Sequence, residues 1–93
     1  MRRNRPVISS AKVRGLIKKN GIRYVDRSAS VYYYKFARGI NVWQLCDTIY
    51  VRPYGSIEEQ DSYIAKLNEA LAEFGLVAFG TSSTSSFQIK AVA

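Results

Sequence analysis

Between Ser56 and Gly75 the apolar residues Ile57, Ile64, Leu67, Leu71 and Phe74 recur at steps of seven, three, four and three. That spacing predicts one apolar stripe along about five turns of α-helix. Ser56 offers a capping hydroxyl and Glu59 follows three residues on, the arrangement of a capping box. Gly75 is the expected left-handed stop, with Leu76 placed to pack back over the last turn. A shorter helix is predicted over 9–20, capped by Ser9 or Ser10 and ended by Asn20-Gly21, with Val13, Leu16 and Ile17 on its buried side. Gly15 lies inside it at a cost of about 1 kcal/mol relative to alanine, a sign of close approach to a neighbour or ligand.

Elsewhere the pattern has period two. Residues 22–26 predict a first strand and 31–38 a second, with Tyr32, Tyr34 and Phe36 on one face and Val31, Tyr33 and Lys35 on the other. Residues 40–54 predict a hairpin turning at 45–47. Ile40, Val42, Ile49 and Val51 would form its inner face beneath the long helix, and Asn41, Trp43, Thr48, Tyr50 and Arg52 its outer face. Pro53 ends that strand or marks an edge. Residues 76–79 predict a short strand, 80–86 a polar loop, and 87–92 a returning edge strand with Phe87, Ile89 and Ala91 on one side. The expected fold is α+β: one domain over residues 1–93, with a small, mainly antiparallel sheet of three to five strands in the order α–β–β–β–α–β–β. The long helix 56–74 would pack on one face.

Composition narrows the function. A chain of 93 residues, 47% apolar, supplies one domain with a small core. No apolar run reaches membrane-span length, and the Arg-rich start lacks a following apolar region, so neither a membrane partner nor export is expected. The single cysteine, Cys46, forms no internal disulfide and suits a reducing cytoplasm. With no histidine, neither a zinc site nor another cofactor is expected, and general-base chemistry lacks its usual residue. Cys46 has no histidine to activate it, Glu58 and Glu59 are accounted for by capping, and no phosphate-loop pattern occurs. The expectation is a non-enzyme; a nuclease built from Lys, Arg and Tyr alone stays open.

The charge is lopsided. Residues 1–55 hold twelve Lys/Arg against Asp26 and Asp47, whereas residues 56–93 hold Lys66 and Lys90 against five acids. A polyanionic partner follows from that asymmetry, against the plainer reading of a solvated basic surface. Arg2, Arg3 and Arg5 form a basic arm over 1–7, read either as a frayed terminus or as a phosphate contact. Lys12, Arg14, Lys18 and Lys19 place four cations on the first helix with no acid. Trp43, Tyr50 and Arg52 would present rings beside a guanidinium, joined by Tyr32, Tyr34 and Arg38 from the neighbouring strand. A second layer over this face, supplied by the first helix or the C-terminal hairpin, or a homodimer interface, would explain the same aromatics. The leading reading is nucleic-acid binding, DNA or RNA, through phosphate contacts from the helix and arm and stacking by the rings. The alternative is a protein that binds and modulates a host protein through the aromatic face.

The order helix, three strands, helix, further strands resembles the double-stranded-RNA-binding-domain shape shared by HicA-type toxins. The opening SSAKVRGLIKKNGIRYV is similar to the HicA start, where a helix ending in Lys-Asn-Gly leads into the first strand. Those toxins carry a catalytic histidine soon after. This chain has none, so the resemblance does not bring their RNase activity with it. AKVRGLIKKNG and GINVWQLCDTIYVRPYG also resemble small uncharacterised proteins of actinobacterial phages, over about residues 10–79. That likeness implies a phage accessory protein expressed in a bacterial cytoplasm.

Overall fold

The computed structural model describes residues 8–26, 37–80 and 86–92. The chain is an α+β domain in the order α1 (Ser10–Lys19), β1 (Gly39–Leu45), β2 (Thr48–Tyr54), α2 (Ile57–Ala72), β3 (Leu76–Phe79) and β4 (Phe87–Ala91).

The caps form as the sequence predicts. The Ser9 hydroxyl accepts from the Lys12 N–H at 3.1 Å and opens α1. Beyond Asn20, Gly21 takes a left-handed φ of 75°. Its N–H then donates to the Lys18 carbonyl, and that of Ile22 to the Ile17 carbonyl. This pair of bonds is a Schellman motif, and it folds Ile22 back beside Ile17 in the core. In α2 the capping box closes both ways: the Glu59 N–H donates to the Ser56 hydroxyl at 3.1 Å and the Ser56 N–H to the Glu59 carboxylate at 2.9 Å. Gly75 has φ 70°, as a left-handed stop requires.

The four strands lie in the order β1-β2-β4-β3 with every neighbouring pair antiparallel. β2 and β3 therefore run parallel to each other, joined through α2, with β4 inserted between them as a split β–α–β unit. β4 is thus an interior strand, and β3 takes the edge position expected for residues 87–92. The hairpin β3–β4 closes inward because the β2–α2–β3 crossover leaves one strand-width open beside β2. The exposed edge of β3 is blunted by α2: Asn68 Oδ1 accepts the Ala78 N–H at 2.8 Å. Pro53, without an N–H, lies in β2 beyond the residues that pair with β4.

Val13 and Ile17 of α1 meet Leu67 and Leu71 of α2 over Ile40, Val42, Ile49, Val51, Leu76, Ala78 and Ile89. Both helices thus cover the same face of the sheet. The outer face is not the one α1 covers, so the second layer expected from the first helix lies elsewhere. The predicted inner positions of the hairpin are all buried. The α2 stripe is shorter than its spacing implied: Leu67 and Leu71 are buried, but Ile57 is 77% exposed and Phe74 is 45% exposed. The residues of α2 that meet the core are Tyr63, Ile64, Leu67 and Leu71, so its first turn, with Ile57, overhangs the sheet, and Phe74 lies past the end of the helix.

Residues 22–26 do not form a strand. Tyr24 makes a single parallel bridge to Ile40. The Ile40 N–H donates to the Arg23 carbonyl at 2.9 Å and the Val25 N–H to the Ile40 carbonyl at 2.8 Å. Asn41, 2% exposed, completes the link by donating from Nδ2 to the Val25 carbonyl at 2.7 Å. Gly39 makes this approach possible, because a Cβ there would sit 2.1 Å from the Arg23 carbonyl oxygen. Gly15, by contrast, has no atom within 4 Å of a built Cβ, so the close approach expected of it is not seen among the described residues. The second predicted strand lies mostly outside the described residues, as do Tyr32 and Tyr34.

Candidate nucleic-acid interface

Two surfaces carry the candidate residues, and they belong to different layers. The first is α1. With Val13 and Ile17 committed to the core, helical geometry sends its cations to the two flanks of the buried stripe. Arg14 and Lys18 share the flank beside β1, where both reach the Tyr24 ring at 5.9 Å from its centroid. Lys12 lies on the other flank, with its ammonium 4.9 Å from the ring of Phe74, two residues past the end of α2. Lys19, nearly two turns from Lys12, shares that side and is exposed. No carboxylate pairs with any of the four among the described residues; the ion pair found there joins Arg38 to Glu59 at 3.0 Å. Lys18 and Lys19 also sit in the last turn, where the helix dipole favours positive charge, so their clustering costs little.

The second surface is the outer face of the sheet. The register puts Trp43 opposite Tyr50, and the rings stack with centroids 5.6 Å apart and planes 15° apart. Tyr50 in turn pairs with Gln88, and Gln88 with Phe79, so Trp43, Tyr50, Gln88 and Phe79 form one row across all four strands. The adjacent row carries Lys90, whose ammonium lies 4.9 Å from the Phe79 ring. On the other side of the row, Arg52 lies 5.1 Å from the Tyr54 ring. The face is closed at the Asn41–Tyr54 end, where both residues are buried. It opens toward Leu45 and Phe79, 60% and 55% exposed.

Among the residues expected to bind, Lys12, Arg14, Lys18 and Lys19 are brought together on one helix, and Trp43, Tyr50 and Arg52 on one sheet face. The two groups are not brought together with each other, because α1 packs on the inner face. Arg2, Arg3 and Arg5 lie outside the described residues. Arg38 does not join the aromatic face: its Nε donates to both Glu59 carboxylate oxygens, at 3.2 and 3.0 Å. Phe79, Gln88 and Lys90 escape a reading of the sequence. Their outward alternation is legible, but only the strand order sets them beside Tyr50.

Glu59 has its carboxyl held below the ordinary value of 4.5, chiefly by the Ser56 backbone N–H, with the Ser56 hydroxyl and Arg38 adding and desolvation opposing. It serves the helix cap. Among the described residues no three His, Cys, Asp or Glu side chains could hold a metal ion. No helix among them is long and apolar enough to cross a membrane.

Comparison with protein-family models, with curated proteins and with solved structures gives no match to this chain.

Proposed function

We propose that this is a non-enzymatic nucleic-acid-binding protein whose first helix contacts phosphate. The supporting observation is the set of four cations on α1, none paired with a carboxylate among the described residues, while four of the seven acids lie on α2 and a fifth, Glu73, at its C-cap. Three of these cations are held over rings, Arg14 and Lys18 over Tyr24 and Lys12 over Phe74, which place charge without neutralising it. Such contacts supply affinity and orientation without reading sequence. The arm with Arg2, Arg3 and Arg5 precedes α1 and would extend the same contact. The likeness to small phage proteins makes a phage accessory role in a bacterial cytoplasm the setting of this reading.

Fluorescence anisotropy of a labelled duplex against salt tests it. Each phosphate neutralised lowers the slope of log affinity on log salt by about 0.9, and Lys18→Gln should reduce the slope by about one contact. A salt-independent affinity refutes the phosphate contact. The exposed Leu45 and Phe79 favour a second reading, a host-protein contact through the sheet face. It predicts a stoichiometric protein complex that survives nuclease treatment and breaks on substitution of Phe79 but not of Lys18.

A further inference from the structure

We infer that Tyr24 positions Arg14 and Lys18 for phosphate, so that the nucleic-acid backbone follows the Tyr24 flank of α1. This rests on the nucleic-acid reading above and adds where on the helix the polyanion lies and which uncharged residue prepares the contact. Arg14 and Lys18 stand about one turn apart on α1 and meet at a single ring. The guanidinium carbon of Arg14 and the ammonium of Lys18 each lie 5.9 Å from the Tyr24 centroid. Like charges at that spacing repel, and their long stems leave them free to spread. The negative face of the ring attracts both and gathers them without cancelling either charge. A planar guanidinium fork beside an ammonium point charge is a pair suited to phosphate oxygens.

The ring is itself held in place. Residues 22–26 form no strand, yet three hydrogen bonds bracket Tyr24. The Ile40 N–H donates to the Arg23 carbonyl at 2.9 Å, the Val25 N–H to the Ile40 carbonyl at 2.8 Å, and Asn41 Nδ2 to the Val25 carbonyl at 2.7 Å. Ile22 and Val25 are buried, and the half-buried Tyr24 packs against the core. The platform is thus set before a ligand arrives, which lowers the side-chain ordering that binding would otherwise cost. The surroundings also favour this flank. Lys12, on the other flank, borders the end of α2, where Glu73 stands at the C-cap and Glu69 one turn before it. The segment 22–25 carries no acid and adds an exposed cation, Arg23.

The experiment follows the anisotropy of a labelled duplex with the full chain across a salt series. Tyr24→Leu keeps every charge and removes the ring. The two freed side chains should lower affinity about tenfold. The slope of log affinity on log salt, which counts phosphate contacts, should stay the same. Tyr24→Phe keeps the ring and should bind as the unaltered chain does. In a chain already carrying Arg14→Gln and Lys18→Gln, Tyr24→Leu should have no further effect. In one carrying Lys12→Gln and Lys19→Gln it should keep its loss of about tenfold. A Tyr24 that serves the fold alone would lower affinity in both backgrounds, and that result overturns the inference. So does an unchanged affinity for Tyr24→Leu, or a Tyr24→Phe chain as weak as Tyr24→Leu. If urea unfolding shows that Tyr24→Leu does not fold, Tyr24→Met, apolar and adaptable in packing, takes its place. Steeply salt-dependent binding that ignores Tyr24 overturns this inference alone and keeps the phosphate-binding helix. No duplex binding, or binding independent of salt, overturns both.

Discussion

Replacing Gly39 by alanine should be the most damaging single-methyl change in the domain. Gly39 has φ 129°, a region that residues with a Cβ rarely enter. The new Cβ would also lie 2.1 Å from the Arg23 carbonyl oxygen and 2.9 Å from its carbon. Both are backbone atoms, so no rotamer change relieves the clash, and the 23–25 segment must leave the edge of β1. Three hydrogen bonds go with it: Ile40 N–H to Arg23, Val25 N–H to Ile40, and Asn41 Nδ2 to Val25. At about 0.5–1.5 kcal/mol each, plus about 1–3 kcal/mol for the forced φ, the loss comes to roughly 2.5–7.5 kcal/mol. That compares with a total stability of about 5–15 kcal/mol for a small domain. Urea unfolding followed by Trp43 emission measures it. Gly21→Ala is the control: its φ is 75°, but nothing lies within 4 Å of a built Cβ, so only the conformational cost of about 1–2 kcal/mol applies. A Gly39→Ala loss no larger than the control would refute the close approach. The result bears on function, because the same segment carries the Tyr24 ring under Arg14 and Lys18.

Other substitutions probe separate links. Cys46 has φ 56° at the first residue of the two-residue turn between β1 and β2, so Cys46→Gly should stabilise the domain by about 1 kcal/mol; a lower urea midpoint would contradict that. Gly15→Ala, in an exposed position with no neighbour near a built Cβ, should add about 1 kcal/mol through helix propensity. If it instead weakens nucleic-acid binding at unchanged stability, the open glycine serves a ligand. The depressed Glu59 carboxyl contributes stability that is complete above its ordinary value of 4.5 and lost as pH falls through its lower folded value. Glu59→Gln keeps an acceptor for the Ser56 N–H but loses the charge, so it should flatten this acid limb and lower the urea midpoint at neutral pH while changing little in acid; an unaltered dependence of the urea midpoint on acid would refute the assignment.

Local chemistry was legible in the sequence wherever one residue type has one use. Ser56 with Glu59, Asn20 with Gly21, and the alternation Ile40, Val42, Ile49, Val51 each specify a cap, a stop or a face through contacts a few residues apart. Nonlocal arrangement was not legible. Nothing in FQIKA distinguishes an edge strand from one inserted between β2 and β3, because insertion depends on the gap that the α2 crossover leaves. The apolar alternation Ile22, Tyr24 resembles a strand, yet Asn41 and Gly39 hold those residues by a few bonds at the β1 edge. Similarly, helix spacing marked Ile57 and Phe74 as core, but the width of the sheet decides how much of the helix is covered. For the site, the cations of α1 were visible as a run without acids. The layer they occupy, opposite the aromatic row, emerges only once both helices are seen to share one face.

The salt dependence of duplex binding, measured for the unaltered chain beside Lys12→Gln, Arg14→Gln, Lys18→Gln and Lys19→Gln singly and together, tests the phosphate-binding helix most directly. The account predicts a steep slope for the unaltered chain, made shallower by each change and by about four contacts when all four are made, with the thermal midpoint preserved. A slope that stays the same after all four substitutions would contradict it.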